Sequence, residues 1–174
     1  MPSIVSGKLT EIIYARLEPH EDLRPAIIRI IKEKQIKSGV VLSITGALEY
    51  ATLQHFHEVG APTIPMGTIK VPGPLEASGH GIIGIVDAPA FGKKPFTMDE
   101  FVHGEPYLHV HLTVTSAKET VCGHLMPGTP IRAIHPTSHF TIVLAKVEGA
   151  QIKLTGEPGH EPGAMHFGHE LVQW

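Results

Sequence analysis

The segment YLHVHLTVTSAKETVCGHL, residues 107–125, alternates apolar and polar residues on both sides of a short polar stretch. Alternation with a period of two is typical of a strand with one buried face, and two such runs joined by a few polar residues predict an antiparallel hairpin. We expect strands over 107–115 and 119–125, with the turn centred on Ala117 and Lys118. This hairpin constrains the fold most, because it commits the chain to an antiparallel sheet.

The hairpin register places three histidines on one face. His111 lies directly opposite His124, and His109 comes two residues before His111 on the same face. The opposite face is apolar and consists of Leu108, Val110, Leu112, Val114, Val121 and Leu125. Opposed residues have Cβ atoms only about 4.5–5.5 Å apart, so the three imidazoles could share one ion.

Three imidazoles suit a divalent metal, and zinc most of all. Three protein ligands with an open position are typical of catalytic zinc, where a water molecule becomes acidic enough to attack or where a carbonyl is polarised. The spacing therefore predicts a metal site on His109, His111 and His124. The alternative interpretation is that the three histidines lie on the solvated face of the hairpin.

The rest of the chain supplies one helix and several more strands. Residues 8–19 read as a strand, and the apolar spacing within 20–39 predicts an amphipathic helix with Asp22 as its N-cap. Short strands follow at 40–44 and 49–56, separated by a break at Gly46, and the segment 59–74 is rich in Gly and Pro and predicts loops and short edge strands. We also expect strands in the glycine-containing segment LEASGHGIIGIV and in HFTIVLAKVEG. The fold class is α+β: a compact single domain with a mostly antiparallel mixed sheet covered by one or two helices.

Composition limits the partners. The 174 residues are 42% hydrophobic and 18% charged, as in a globular domain, with a net charge of −3 and no Lys/Arg cluster. We therefore expect nucleic-acid binding to be weak and independent of sequence. No apolar run suits a signal peptide or a membrane span, so we expect no membrane partner. The single cysteine, Cys122, excludes an internal disulfide and favours a reducing compartment, the cytoplasm.

Further residues are candidates for supporting roles. Cys122 shares the face of His124, so its thiol could lie near the metal, although a small packed side chain is the favoured interpretation. His55 and His57 form a second H-x-H, for which we favour solvent exposure or a subunit contact. His135 and His139 flank the start of a strand and could hydrogen-bond to a ligand.

Two carboxylates could handle protons. Glu105 precedes the ligand strand and Glu49 follows Gly46, and each could act as a general base or be an exposed carboxylate.

Two long segments flank the hairpin. The connection 87–106 carries four large apolar side chains, Phe91, Phe96, Met98 and Phe101. We expect a main domain at 1–155 and a tail at 156–174 that packs on it or on a neighbouring subunit. The tail histidines, His160, His166 and His169, could fold over a neighbour's metal, or the tail could be a disordered terminus. We expect connection and tail to roof the metal and leave a pocket of small-molecule size.

Several motifs together resemble a known family. SGVVLSITGAL, LEASGHG, the H-x-H strand and the following Gly-His-Leu are similar to the plant-and-prokaryote-conserved (PPC) domain over about residues 9–154. Prokaryotic members are often labelled predicted DNA-binding proteins, and plant members carry the domain behind an AT-hook. The resemblance implies a homotrimer of α+β subunits with a zinc-like metal on His109, His111 and His124. This chain departs from the family in having Cys122 where a Gly-Gly-His pattern is usual, in its longer connection and tail, and in lacking an AT-hook.

The expected function is metal-dependent binding of, or action on, a small carbonyl or carboxylate compound. If there is turnover, hydrolysis, hydration or a lyase reaction fits best. The main alternative is a non-catalytic regulatory or DNA-associated module with a structural metal. A metal-stabilised assembly scaffold is a third interpretation.

Overall fold

The predicted hairpin lies within one large sheet. The structure is a computed structural model that describes residues 4–56, 66–96, 101–134, 139–159 and 165–174. These residues form one α-helix, a short 3-10 helix (Pro89–Phe91) and eight strands. In chain order the elements are β1 (Lys8–Leu17), α1 (Leu23–Glu33), β2 (Gly39–Phe56), β3 (Met66–Asp87), β4 (Pro106–Thr115), β5 (Thr120–Leu125), β6 (Phe140–Glu148), β7 (Ala150–Pro158) and β8 (Met165–Gln173).

The sheet is antiparallel with one exception. Its strand order is β1-β6-β2-β5-β4-β3-β7-β8, and β2 also pairs with β3. Strands β2, β5, β4 and β3 therefore close a ring, and only the pairing of β3 with β7 is parallel. The predicted α+β class with a mostly antiparallel sheet is confirmed, and the ring holds the histidine hairpin between the two longest strands.

Helix α1 covers one side of the sheet, as its apolar spacing predicted. Its buried residues pack into the main core, and they are Leu23, Ala26, Ile27, Ile30 and Ile31. Burying one such large aliphatic side chain contributes about 1.5–3 kcal/mol, so this face is enough to hold the helix on the sheet. Among the described residues no helix is long and apolar enough to cross a membrane.

The expected N-cap at Asp22 is wrong in its detail. The Asp22 side chain makes no capping hydrogen bond to α1. Its carboxylate instead accepts hydrogen bonds from the backbone N–H groups of Gly128 (2.6 Å) and Thr129 (3.1 Å). A distant loop therefore competes successfully for the carboxylate and is fixed against the start of the helix.

The expected break at Gly46 is also wrong, because β2 continues through it. Gly46 has a φ of +151°, and a Cβ added there would lie 2.6 Å from the Phe140 ring. Strand β3 accompanies β2 along its length, and two register shifts absorb the irregular residues. Loops and short edge strands were expected over residues 59–74, but the part from Met66 to Pro74 belongs to the long strand β3, and residues 59–65 lie outside the described residues.

A second, smaller core lies apart from the main one. It consists of Val86, Ala88, Phe96, Phe101, Tyr107 and Leu154. It unites residues of the 87–106 connection with β3, β4 and β7. The tail residues 165–173 form β8, which pairs with β7, so the division expected at residues 155/156 falls inside strand β7.

Candidate metal centre

The β4–β5 ladder has the predicted register. His111 is paired with His124 and Thr113 with Cys122, and the turn is closed by a 2.9 Å hydrogen bond from the Ser116 N–H to the Glu119 carbonyl. The apolar residues of the hairpin point into the main core, where Leu112 and Val114 are fully buried. The alternation that buries them necessarily places the three histidines together on the other face.

The three imidazoles converge through the same ring nitrogen. Nε2 of His109 lies 3.3 Å from Nε2 of His124 and 3.2 Å from Nε2 of His111. Nitrogen ligands at tetrahedral zinc are about 3.3 Å apart, given Zn–N bonds of about 2.05 Å. These two spacings fit one zinc-sized ion, and the ligand atoms of all three residues lie within 4.8 Å of one another. Within the described part of the chain, no fourth His, Cys, Asp or Glu belongs to this group.

The outer ring nitrogens have partners that leave Nε2 available to a metal. Nδ1 of His124 lies 3.3 Å from Oε1 of Gln54, which can only accept, so the neutral ring carries its proton on Nδ1. Nδ1 of His109 lies 3.0 Å from the Tyr107 hydroxyl. Such contacts fix the orientation and tautomer of ligand histidines.

The environment of His109 keeps its ring neutral. Burial, followed by the charges that His124, His111 and His169 would carry, lowers its pKa to about 4. A metal ligand must be neutral imidazole, and repulsion among the rings favours that state at physiological pH. A zinc-like ion would find His109 already deprotonated.

Two cavities adjoin the histidines. A cavity of about 70 Å³ reaches His109 and His124 and is lined by Phe101 and Tyr107 among others. A wider and mainly apolar depression of about 420 Å³ borders His109 and His111; its other lining residues are Val40, Val41, Leu42, His80, Gly81 and Ile82. The wider one is within the range of small-molecule sites.

A family model confirms the resemblance drawn from the motifs. The model described as the Plants and Prokaryotes Conserved (PCC) domain matches residues 5–135. The chain belongs to this family. The matched residues include α1 and all three histidines, whereas β6, β7 and β8 lie beyond them.

Solved structures share the fold of this PCC chain. A metal-containing protein from Archaeoglobus fulgidus has a TM-score of 0.66 and 17% identity, covering 88% of this chain and 91% of its own. A plant- and prokaryote-conserved (PPC) protein from Pyrococcus horikoshii has a TM-score of 0.65 and 19% identity, covering 91% and 92%. A candidate DNA-binding protein from Bacteroides thetaiotaomicron has a TM-score of 0.59 and 18% identity, covering 93% and 96%. No curated protein matches the chain.

The structure does not bring the two predicted carboxylates into the histidine group of the PCC domain. Glu105 pairs with Lys32 of α1 at 2.6 Å, and Glu49 pairs with His20. Neither belongs to the group of metal-ligand atoms. Their role as proton carriers stays a prediction, and each carboxylate would have to leave its present partner to perform it.

Cys122 is exposed, so its interpretation as a small packed side chain is wrong. Cys122 is paired with Thr113 across the β4–β5 ladder. Its thiol does not belong to the group of side chains that could hold a metal ion. Position 122 therefore makes no packing demand on its side chain within the chain.

The other histidines have different surroundings. His55 contacts the carbonyl of Phe56 through Nδ1 at 2.6 Å, His139 precedes β6, and His166 is exposed. His57, His135 and His160 lie outside the described residues.

Sequence reasoning missed three residues beside the site: Gln54, Tyr107 and His80. His80 is opposite His111 on β3 and lines the wider depression. Gln54 is a buried polar residue of β2 that lies between Leu53 and His55, and this local sequence gives no signal of its burial.

The connection and the tail meet beside His109. Phe96 stacks on Phe91 (ring centroids 4.4 Å apart) and on Phe167 of β8 (5.9 Å). Phe101 packs edge-on against Tyr107, with ring centroids 5.3 Å apart. Met98 lies outside the described residues. The described parts of both segments thus reach the His109 side of the site, within a single chain.

Proposed function

We propose that this PCC-domain protein binds one divalent metal ion, zinc best of all, on His109, His111 and His124, and there binds a small carbonyl or carboxylate compound. The observation that carries the proposal is the position of Nε2 of His109, 3.2 Å from Nε2 of His111 and 3.3 Å from Nε2 of His124, with the ligand atoms of all three residues within 4.8 Å of one another. The outer nitrogens of two of the rings are already hydrogen-bonded. The Archaeoglobus fulgidus neighbour is named as metal-containing, which supports it.

The chain supplies the binding surface beside the ligands. A bound ion would polarise a carbonyl or carboxylate oxygen, as a Lewis acid does. The apolar part of the compound would lie in the 420 Å³ depression against Leu42 and Ile82. His80 borders the same depression and can hydrogen-bond to a polar group of the compound. Hydration, hydrolysis and lyase reactions are the activities that such a site could support.

The experiment uses cobalt(II)-substituted protein and butyrate as the probe. Butyrate should change the visible absorption of the cobalt with saturation, whereas n-propylamine, which has the same propyl chain and the opposite charge, should not. The His111→Ala variant, loaded in the same way, is the control for metal bound elsewhere. If butyrate leaves the cobalt spectrum unchanged, the ion has a structural role only.

We propose a homotrimer as the assembly. Strand β1 lies at an edge of the sheet and exposes Leu9 (54%), Ile12 (54%) and Tyr14 (76%). A partner would cover both the free strand edge and this apolar surface. Light scattering should give three times the 18.8 kDa chain mass. The mass of a monomer would contradict the trimer without affecting the metal site.

A regulatory or DNA-associated role with a structural metal is the second candidate. The Bacteroides thetaiotaomicron neighbour, named as a candidate DNA-binding protein, favours it. The net charge of −3 opposes it, because a phosphate-binding surface would have to form from few basic residues. Tight, sequence-selective DNA binding at physiological salt would place this candidate first.

A further inference from the structure

Tyr107 has an unusual position on β4. It shares the histidine face of the strand, yet it is only 3% exposed, because the second core covers that end of the face. Its hydroxyl lies 3.0 Å from Nδ1 of His109 and 2.7 Å from Nε2 of His169. One hydroxyl thus joins a ligand histidine to a residue of the last strand.

The protons in this contact can be ordered in one way when Nε2 of His109 is a ligand atom. Nδ1 of His109 then carries the ring proton, and this N–H donates a hydrogen bond to the Tyr107 oxygen. The single hydroxyl hydrogen of Tyr107 is left to donate to Nε2 of His169. His169 must therefore accept as a neutral ring.

The surroundings of His169 agree with that requirement. The residue as a whole is exposed, but its ring packs against Tyr107 with centroids 5.3 Å apart, and the partial burial lowers its pKa. Its position is set by pairing with Leu154 of β7, which is itself part of the second core. Strand β7 in turn pairs in parallel with β3, where Leu154 is opposite Val86.

We propose that Tyr107 and His169 are positioning residues for the metal centre: their hydrogen-bonded chain holds the His109 ring so that Nε2 points at the other two ligands. This inference rests on the proposed metal site. It assigns a role to β8, which lies beyond residues 5–135 that the family model matches. His124 receives the same kind of support from Gln54.

The experiment measures zinc affinity by competition with a chelator of known affinity. Tyr107→Phe removes the hydroxyl and leaves Nδ1 of His109 without its acceptor, so affinity should fall about 10–100-fold. His169→Ala should also weaken binding, and the double variant should be no weaker than Tyr107→Phe alone. That lack of additivity is expected only if the two residues act in one chain.

Replacement by amides separates positioning from a general loss of packing. His169→Gln places an acceptor near the position of Nε2 and should restore affinity, whereas His169→Asn, whose acceptor corresponds to Nδ1, should not. The control is His166→Ala on the same strand, an exposed histidine opposite Glu157. It should bind zinc as the unmodified protein does.

Each result is decisive. If Tyr107→Phe and His169→Ala both bind zinc within twofold of the unmodified protein, the positioning role is wrong while the metal site stands. If the Gln and Asn variants are equally weak, His169 acts only by packing and the proposal fails. If the unmodified protein and His111→Ala bind zinc equally, the metal site fails, and the positioning role fails with it.

Discussion

The two faces of strand β4 depend on their neighbours in different ways. On the core face, Leu108, Val110, Leu112 and Val114 are at most 4% exposed and pack among many apolar side chains. On the histidine face, His109 needs individual atoms at individual positions, such as the Tyr107 hydroxyl. The first face requires volume and apolarity, which many residues supply. The second face requires that its imidazole rings have a particular orientation, which depends on a few hydrogen-bond partners that are distant in the sequence.

The largest expected effect tests the histidine face. His111→Ala should reduce bound zinc from about one ion per chain to near zero, because two remaining imidazoles hold zinc poorly. Since His111 is exposed, the stability of the metal-free protein should change by less than about 0.5 kcal/mol. Elemental analysis and urea unfolding of the metal-free protein measure the two quantities. If His111→Ala kept all of its zinc, the metal site would not depend on individual side chains of the histidine face, and the proposed difference between the two faces would be wrong.

The next effect tests the core face. Leu112→Ala should destabilise the metal-free protein by about 2–5 kcal/mol, because the side chain is fully buried and leaves a cavity. The folded fraction should still bind zinc. Denaturant unfolding followed by circular dichroism measures the loss, and a loss below about 1 kcal/mol would show that this face is less tightly packed than its burial indicates.

A smaller effect is expected at Gly123 of β5, which packs tightly against β2 and precedes His124 in the sequence. A Cβ added at Gly123 would lie 2.7 Å from the Gln54 carbonyl oxygen, so Gly123→Ala must push β5 away from β2. We expect a loss of about 1–3 kcal/mol together with weaker zinc binding, because Gln54 and His124 then move apart. The matched control is Cys122→Ser, one residue away and exposed, which should change stability by less than about 0.5 kcal/mol. Equal behaviour of the two variants would contradict the packing described for β5.

The smallest effect is a pH dependence of the metal-free protein. The pKa of His109 is about 4 in the folded chain, against 6.5 for an ordinary histidine, so the unfolded chain binds more protons between these values. The contribution of His109 to the free energy of unfolding is therefore fully present above about pH 6.5 and is lost as the pH falls towards 4. Because the ring is only half-buried, we expect this residue to account for about 1–2 kcal/mol of that fall. His109→Gln should flatten the slope, as measured by unfolding at pH 7, 5.5 and 4.5; an unchanged slope would place the proton uptake on other residues.

The sequence predicted the local parts of the site well. Alternation along 107–125 sufficed for the hairpin register, because a one-residue slip would have exposed every apolar residue of the core face. The grouping of the three candidate ligands, His109, His111 and His124, followed from that register. Their hydrogen-bond partners did not, because Gln54 is 70 residues from His124 and His169 is 62 from Tyr107. Such hydrogen bonds depend on which strands are neighbours in the sheet, and the local sequence pattern does not predict strand order.

The fold shows the same division between local and distant effects. The spacing within α1 predicted its buried face, whereas the long continuous strands β2 and β3 were predicted as shorter pieces. Glycine and proline indicate breaks when each segment is considered alone. Here β2 and β3 support each other along their length, and the register shifts accommodate the residues that would otherwise end a strand.

Strand β8 is the last in the sheet order, with β7 as its partner. An edge strand held on one side can detach at a lower free-energy cost than a central one. Coupling between two binding equilibria is reciprocal. If docking of β8, and of His169 with it, raises the affinity for the metal by some factor, the bound metal favours the docked state of β8 by the same factor. Amide hydrogen exchange in the segment 166–171 should therefore slow when the three histidines are occupied. The end of the chain would then report on an ion that it does not itself ligate.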